Sequence, residues 1–342
     1  GPGATHTEGV TSRAPSLVLL AALGAAASGA VIALQGRVNG DLATAGTGVL
    51  VAGWLSYVGT LAATALVVLA RRRTRVVVGL VRERARWWWF AVGLCGIPIV
   101  LAMAAGIPLV GVAIASVCAV AGQTLAGLAL DARGVGVPAA IRLSGRRLLA
   151  GLVALLGLGI AVLGSSGGDV SVAQGVAVGL GLLLAGAVLC VQQAGNGRVV
   201  AATGDPVLAG LTSSAGGAVG ITAILALAGA TGGLDGVTFP PQWWLYAGGP
   251  LGAVITIAAA WAVRHLGTFV LTLTVISGQM LTALLLDVFS AGGLRVTAVL
   301  ATIAVAASAV LVVERRRATT EASVAPAPPV EPAADRVAQV EP

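Results

Sequence analysis

The sequence of 342 residues is short of charged and aromatic side chains and contains no lysine. Charged residues make up 10% and aromatic residues 4%, whereas hydrophobic residues reach 57% and the mean hydropathy is +0.98. Because a soluble domain needs roughly a quarter of its residues charged, this composition excludes an ordinary soluble enzyme. The hydrophobicity also excludes a largely disordered chain. Few aromatics and 49 glycines favour closely packed membrane helices over an aromatic-girdled β-barrel.

Residue types that carry enzymatic chemistry are equally scarce. The two histidines, His6 and His265, and the three cysteines form no cluster with metal-ligand spacing. There is no Walker A motif, and no GxGxxG follows a strand. A lipid-modifying enzyme needs paired acidic residues to hold magnesium and diphosphate, whereas the acids here are scattered singly. We therefore expect no enzyme, no catalytic residue, no metal site and no cofactor.

Apolar runs separated by polar breaks fill the sequence between residues 17 and 313. At about 20 residues per spanning helix, with short loops, this length holds about ten transmembrane helices. We predict them at 17–38, 47–70, 87–106, 108–130, 147–166, 172–195, 206–230, 242–263, 266–286 and 295–313. The polar segment 1–15 and the Ala/Pro/Glu-rich segment 318–342 are predicted to be disordered tails.

The arginines predict the orientation of these helices. With the N-terminus in the cytoplasm, 18 of the 20 arginines fall on the cytoplasmic side, and only Arg37 and Arg295 lie outside. Both termini are therefore expected to be cytoplasmic. The net charge of +7 is then explained by loops that face the cytoplasm and anionic membrane lipid, so we expect no nucleic-acid partner.

The chain resembles itself at a shift of about 156 residues. Residues 111–131 read GVAIASVCAVAGQTLAGLALD, and residues 267–287 read GTFVLTLTVISGQMLTALLLD. In both segments a Gly-Gln pair is followed, eight residues after the glutamine, by an aspartate, Asp131 or Asp287. The tryptophans at 87–88 and 243–244 obey the same shift. The sequence thus consists of two related copies.

Each copy, residues 16–168 and residues 169–317, contains five of the predicted helices. An odd number of spans reverses the polarity of the second copy, so the two copies are predicted to be inverted repeats in the membrane. The arginine count agrees, because it places Asp131 inside and Asp287 outside. Inverted repeats are typical of carriers that alternate between two mirror-related states.

Several motifs resemble the YdcZ-like branch of the drug/metabolite transporter superfamily. They are LQGRVNGDL after an Ala/Gly-rich first helix, the Trp-rich start of the third helix and GQxLxxLxLD closing the fourth. The resemblance covers residues 17–313 and implies a ten-helix carrier of the bacterial inner membrane that acts as an exporter. Short five-helix members pair as antiparallel dimers, so this chain looks like a fused pair that requires no oligomer. It departs from the pattern where Asn196-Gly197-Arg198 replaces Asn39-Gly40-Asp41.

Polar side chains inside the hydrocarbon are candidate substrate ligands, because they cost free energy unless they are partnered. Gln123 and Gln279 lie eight residues, or about 12 Å, from the ends of their helices. Since half the hydrocarbon is about 15 Å thick, both are expected near the midplane. Ser116 and Thr272 precede them by seven residues on the same helix faces. Hydrogen bonding between helices is the structural alternative for all four.

A second set of amides lies late in the first helix of each copy. Gln35 and Asn39 are four residues apart, and Gln192 and Asn196 repeat this arrangement. We predict that they line the two mouths of the transport pathway, one mouth exposed in each state. Helix capping and loop anchoring are the alternative roles.

Trp54 and Tyr57 share a face of the second helix and are candidates for an aromatic wall, with anchoring at the membrane interface as the alternative. No acidic residue lies in the middle of a helix, which argues against a proton relay through a central carboxylate. We therefore predict a secondary transporter that exports a small neutral or zwitterionic amphipathic metabolite or drug by alternating access. A lipid flippase or scramblase uses the same helices, and a membrane-embedded lipid-modifying enzyme fits less well.

Overall fold

The computed structural model describes residues 15–134, 143–165, 170–290 and 293–323, and in this part of the chain the regular elements are helices. Seven belong to the first copy: α1 (Pro15–Leu42), α2 (Gly48–Ala70), α3 (Thr74–Arg84), α4 (Trp87–Ala91), α5 (Ile97–Val110), α6 (Val112–Ala132) and α7 (Gly145–Ser165). Four belong to the second copy: α8 (Val172–Thr203), α9 (Pro206–Ala230), α10 (Gly248–Val288) and α11 (Val296–Ser323). A π-helical turn forms Ala43–Thr47, and 3₁₀ turns form Val92–Gly96 and Trp243–Tyr246.

Six helical segments among the described residues are long and apolar enough to cross a membrane: Leu19–Ala70, Trp87–Val110, Val112–Ala132, Gly145–Gly164, Val172–Thr203 and Pro206–Ala230. Thr274–Val288 and Val296–Ser308 are shorter apolar helices. The first segment is 52 residues long and is interrupted at Gly46, whose φ of 128° is not helical. The expectation of an all-α membrane protein is therefore met.

Among the described residues, the first and last helices extend only slightly into the segments that the sequence assigns to tails. α1 begins at Pro15, and the residues before it, which the sequence assigns to a tail, lie outside the described part. α11 continues to Ser323, six residues into the segment that the sequence assigns to the C-terminal tail. The remaining tail residues, 324–342, also lie outside the described part.

The chain reverses between α5 and α6 at a single residue, Gly111. Its φ of 88° and ψ of 166° suit glycine, which has no Cβ to clash in this region. Pro108 lies three residues earlier, inside the last turn of α5. α6 then runs through the centre of the bundle, and the residues from Val112 to Gly122 are buried without exception. This helix carries the first of the two repeated Gly-Gln motifs.

The sequence predicts two helices, at 242–263 and 266–286, where the structure has the 41-residue helix α10. The structure assigns helix at residues 264–265, where the sequence predicts the loop between these two helices. The counterpart of Pro108 is Arg264, so no proline is present there to end the helix. A glycine alone costs a helix only about 1 kcal/mol relative to alanine.

α10 nevertheless cannot be straight. Ser28 of α1 donates a hydrogen bond to the carbonyl of Ile255 (3.4 Å), and the next residue, Gly29, lies against the carbonyl of Val275. In a straight helix these two carbonyls would be about 30 Å apart, because each residue adds about 1.5 Å. Two neighbouring residues of α1 contact both, so α10 bends back between Ile255 and Val275.

Among the close helix crossings between the copies, two form a matched pair. In the first, α1 meets α10: a methyl group added to Gly29 would overlap the Val275 carbonyl, and one added to Gly278 would overlap the Ala26 carbonyl. Backbones approach this closely only where glycine leaves room. The crossing therefore joins the first helix of the first copy to the second copy.

The second crossing has the same form with the copies exchanged. A methyl group added to Gly186 of α8 would overlap the Ala119 carbonyl, and one added to Gly122 of α6 would overlap the Leu183 carbonyl. Each of these residues lies 156 or 157 positions from its counterpart in the first crossing. In these reciprocal contacts each copy presents the same surface to the other. This is the pattern expected of two units related by a two-fold axis.

Candidate functional site

The amides of α1 converge on one serine of α2. Gln35 Nε2 donates to the carbonyl of Gly248 (2.8 Å) and to Ser56 Oγ (3.3 Å). Asn39 Nδ2 donates to the same Ser56 oxygen (3.2 Å), and Asn39 is only 3% exposed. Gly248 opens α10, so this group ties the first copy to the second.

The second copy repeats the contact. Gln192 Nε2 of α8 donates to Ser213 Oγ of α9 at 2.9 Å. Gln192 and Ser213 are the counterparts of Gln35 and Ser56 at a shift of 157 residues. The same side-chain pair therefore joins the first and second spans of both copies.

Tyr57 brings the two groups together. Its hydroxyl donates to the carbonyl of Gly93 (3.3 Å), and the residue is 8% exposed. A methyl group added to Gly96 would overlap both this hydroxyl and the amide of Gln192. Since Tyr57 follows Ser56 directly, one stretch of α2 faces the amides of both α1 and α8. We call the following set the polar cluster: Gln35, Asn39, Ser56, Tyr57, Gln192 and Ser213.

The two halves of the polar cluster are not equally satisfied. Asn39 is hydrogen-bonded, whereas the Oδ1 atom of its counterpart Asn196 is buried without a partner among the described residues. A buried acceptor without a partner costs about 1–3 kcal/mol. Asn196 thus keeps a buried acceptor that another group can occupy.

Gln123 and Gln279 lie at the glycine crossings rather than in the polar cluster. Gln193 Nε2 donates to Gln123 Oε1 (3.4 Å), and Gln123 Nε2 reaches the Ala119 carbonyl (3.5 Å). Gln279 is 5% exposed, and its backbone nitrogen lies beside Gly29. Both glutamines are therefore next to the contacts between the copies.

The remaining predicted residues occupy separate places. Ser116 is fully buried, and its hydroxyl has no partner among the described residues. The side chain of Thr272 lies outside the described part of the structure. Trp54 Nε1 donates to Thr222 Oγ1 of α9 (2.9 Å), so this ring bridges α2 and α9 instead of standing free.

The two serines of the polar cluster, Ser56 and Ser213, are not among the site residues predicted from the sequence. A signal for them exists, because Gln35 and Ser56 are 21 residues apart, and so are Gln192 and Ser213. A Gln-to-Ser spacing that recurs in both copies is stronger evidence for a site than either serine alone. Serine is too common in membrane helices for a single copy to indicate a site.

One carboxylate closes the reversal at Gly111. Asp287, at the end of α10, accepts hydrogen bonds from the backbone N–H groups of Val112 (2.8 Å) and Ala113 (2.9 Å). These donors open α6 and have no partner within the helix. Asp287 is therefore an N-terminal cap supplied by the other copy, and it is 5% exposed.

A charged cavity of about 340 Å³ lies beside this cap. Arg37, Asp41, Asp287 and Arg295 contribute its charged lining. Arg37 Nε forms an ion pair with Asp41 (2.8 Å). At 100° per residue, Arg37 lies on the opposite side of α1 from Gln35, so the cavity is separate from the polar cluster.

The described residues contain no group of three His, Cys, Asp or Glu side chains that could hold a metal ion. The chemistry available in the polar cluster is that of amides, hydroxyls and backbone carbonyls. Such groups bind by hydrogen bonding and carry no net charge.

Comparisons with known proteins agree with this architecture. A family model described as "Putative inner membrane exporter, YdcZ" matches residues 20–160 and again residues 177–313. The double match corresponds to the two copies. A solved structure described only as "Crystal structure of protein" is similar over 90% of this chain and 99% of its own, with a TM-score of 0.52 and 19% sequence identity, which supports the fold alone. A search of curated proteins gives no match.

Proposed function

Since this chain belongs to the YdcZ family of inner membrane exporters, we propose that it is a secondary carrier whose two inverted halves alternate access to the polar cluster. Membership of the family makes it a multi-pass membrane transporter rather than an enzyme. The substrate, the mechanism and the residues that bind are the parts that we propose.

The reciprocal glycine crossings carry this proposal. A carrier that rocks between mirror-related states needs two equivalent halves that exchange the same contacts. Gly29 and Gly278 form one such contact, and Gly186 and Gly122 form its counterpart. Helices that cross at glycines can pivot because few side chains interlock there. In the proposed carrier, a small change of the crossing angle at one crossing is matched by the opposite change at the other.

The bend in α10 supports ten spans in two sets of five. If α10 supplies two antiparallel arms, the second copy has the same number of spans as the first. Five spans per copy then turn the second copy upside down, with both termini in the cytoplasm. The arginine distribution is consistent with that orientation.

The chemistry of the polar cluster favours an uncharged or zwitterionic amphipathic solute. Its side chains are amides and hydroxyls, and apolar residues of α2 and α9 such as Ile221 pack next to Tyr57. A solute with net charge would need a counter-charge at this depth. The unpartnered Oδ1 atom of Asn196 is a hydrogen-bond acceptor that a donor group of the solute can satisfy.

A two-step experiment tests this function. A thermal-shift screen of purified protein against metabolites and antibiotics identifies a ligand, because a compound that binds the folded state raises the melting temperature. Uptake of that compound into proteoliposomes is then measured for the wild type, for the double variant Gln35→Leu with Gln192→Leu, and for the control Gln242→Leu. Gln242 is exposed and lies outside both the polar cluster and the glycine crossings.

The carrier account predicts that uptake falls at least about tenfold in the double variant, the loss expected from about 1.4 kcal/mol of binding, and persists in Gln242→Leu. Equal uptake in the double variant and the wild type contradicts a site at the polar cluster. Movement of fluorescent phospholipid between leaflets without uptake of the solute identifies a scramblase instead.

A further inference from the structure

The segment between α2 and α4 carries seven arginines within sixteen residues, of which two are engaged by the protein. Arg73 forms an ion pair with Asp205 (3.0 Å), and Arg84 donates to the Ala202 carbonyl (3.5 Å). The other five are exposed, and we call them the basic surface: Arg71, Arg72, Arg75, Arg82 and Arg86. The segment contains a single acidic residue, Glu83.

α3 lies across one end of the helical bundle. Val77, at the middle of α3, is 4% exposed and belongs to a hydrophobic cluster with Val68, Trp89, Val199 and Leu208. These four residues lie in the last or first turns of α2, α4, α8 and α9. α3 is therefore fixed at the level where the spanning helices end, which is the membrane interface.

The side of α3 away from this cluster presents charge flanked by apolar side chains. Arg75 and Arg82 are seven residues apart and share a face of the helix opposite Val77. Val76 is 53% exposed, and Trp87, just after α3, is 81% exposed. Amphipathic helices that lie in the membrane interface combine basic residues with exposed Trp and aliphatic side chains in this way.

The second copy provides an internal comparison. Trp243 and Trp244 occupy the positions equivalent to Trp87 and Trp88 and are 77% and 54% exposed. The segment that precedes them, residues 231–242, contains no arginine. The tryptophan pair is therefore present at both places, whereas the arginines are present only in the segment that is expected to face the cytoplasm.

We propose that the basic surface is a binding site for the headgroups of anionic phospholipids in the cytoplasmic leaflet. Each Arg near an anionic surface contributes a favourable attraction, and guanidinium groups bind phosphate in a bidentate manner. Bound lipid at α3 would clamp the ends of α2, α4, α8 and α9 together, since Val77 and the Arg73–Asp205 pair already join them. This inference requires only a membrane protein and does not depend on the transport mechanism.

The test uses the full-length protein in lipid nanodiscs of phosphatidylcholine alone or of phosphatidylcholine mixed with phosphatidylglycerol. Nanodiscs expose both faces, so an effect of the arginines on membrane insertion cannot enter the result. The melting temperature and the number of phosphatidylglycerol molecules retained in native mass spectrometry are measured. The variants are Arg75→Gln with Arg82→Gln, a charge-preserving Arg75→Lys with Arg82→Lys, and a control, Arg133→Gln with Arg198→Gln, which removes two exposed arginines elsewhere.

Phosphatidylglycerol is expected to raise the melting temperature of the wild type, of the lysine variant and of the control. This rise should be smaller at high salt, because exposed charges are already screened beyond about 10 Å at 0.1 M. In the glutamine variant at α3, roughly half of that rise and of the retained phosphatidylglycerol should be lost. No rise in the wild type, or the same rise and retention in the α3 glutamine variant as in the control, overturns the proposal. The latter result assigns the arginines to membrane topology alone.

Discussion

Asn39 and Asn196 occupy equivalent positions in the two copies, yet Asn39 is hydrogen-bonded to Ser56 and the Oδ1 atom of Asn196 is buried without a partner among the described residues. The two copies thus share an asparagine at this point but differ in how its side chain is hydrogen-bonded. In a carrier of the proposed kind, the difference is the one between a closed and an open side, and it exchanges when the halves rock.

Because of this difference, replacing asparagine by leucine should affect stability differently at positions 39 and 196. Asn39→Leu should lower the free energy of unfolding by about 1 kcal/mol, because a made hydrogen bond is lost. Asn196→Leu should be close to neutral or stabilising, since the acceptor that it removes is already unpaired. Thermal unfolding of the purified variants measures both. If Asn196→Leu proves as destabilising as Asn39→Leu, the two copies are equivalent and the assignment of different states is wrong.

Transport should respond differently from stability. In the proposed carrier each asparagine contacts the solute in one of the two states, so either leucine variant is expected to reduce uptake by at least about tenfold, equivalent to about 1.4 kcal/mol. Proteoliposome uptake of the compound found in the thermal-shift screen provides the measurement. Full uptake in Asn196→Leu shows that its free acceptor has no role in transport.

The glycine crossings predict that two glycine-to-valine substitutions in α8 have clearly different effects on stability. Gly186→Val places a side chain where the Ala119 carbonyl lies, so the crossing must open and stability should fall by about 1–3 kcal/mol. Gly181→Val is the matched control, because nothing lies within 4 Å of a Cβ at that position. The melting temperature and the fraction of monodisperse protein report the effect. Equal behaviour of the two valine variants rules out a tight crossing at Gly186.

The cap at the start of α6 predicts which of two aspartates matters for folding. Asp287→Ala leaves the N–H groups of Val112 and Ala113 without acceptors and should cost about 1–3 kcal/mol. Asp41→Ala removes only a partly exposed ion pair with Arg37 and should cost about 1 kcal/mol or less. Thermal unfolding of both variants compares them. A larger loss for Asp41→Ala contradicts the capping role.

Much of this fold follows from the sequence. Long apolar runs allow only spanning helices, and the Gly-Gln motif with its aspartate located the repeat that the double family match and the two crossings share. The assignment of α10 as one helix was not foreseen. Arg264 and His265 predict a polar break, and the structure assigns helix at these residues although α10 bends back between Ile255 and Val275.

The site was predicted only in part. The amides Gln35 and Gln192 were found because polar groups in hydrocarbon are rare, but their partners, Ser56 and Ser213, depend on which faces of two helices meet. Sequence spacing shows which residues share a face, and it does not show which neighbouring helix that face contacts. For the same reason the sequence placed Gln123 near the midplane as a candidate substrate ligand but did not predict that it lies beside the crossing at Gly122.

The central claim, that the second copy is upside down relative to the first, is tested most directly by the accessibility of two equivalent loops. Glu83 lies in the segment between α2 and α4, and Asp235 lies in the corresponding segment between α9 and α10; both are exposed. In a background with Cys95, Cys118 and Cys190 replaced by alanine, Glu83→Cys and Asp235→Cys are treated in intact cells with a maleimide that does not cross membranes. The account predicts that the cysteine at 235 reacts at once and the cysteine at 83 only after the membrane is permeabilised. Reaction of both from the same side of the membrane contradicts it.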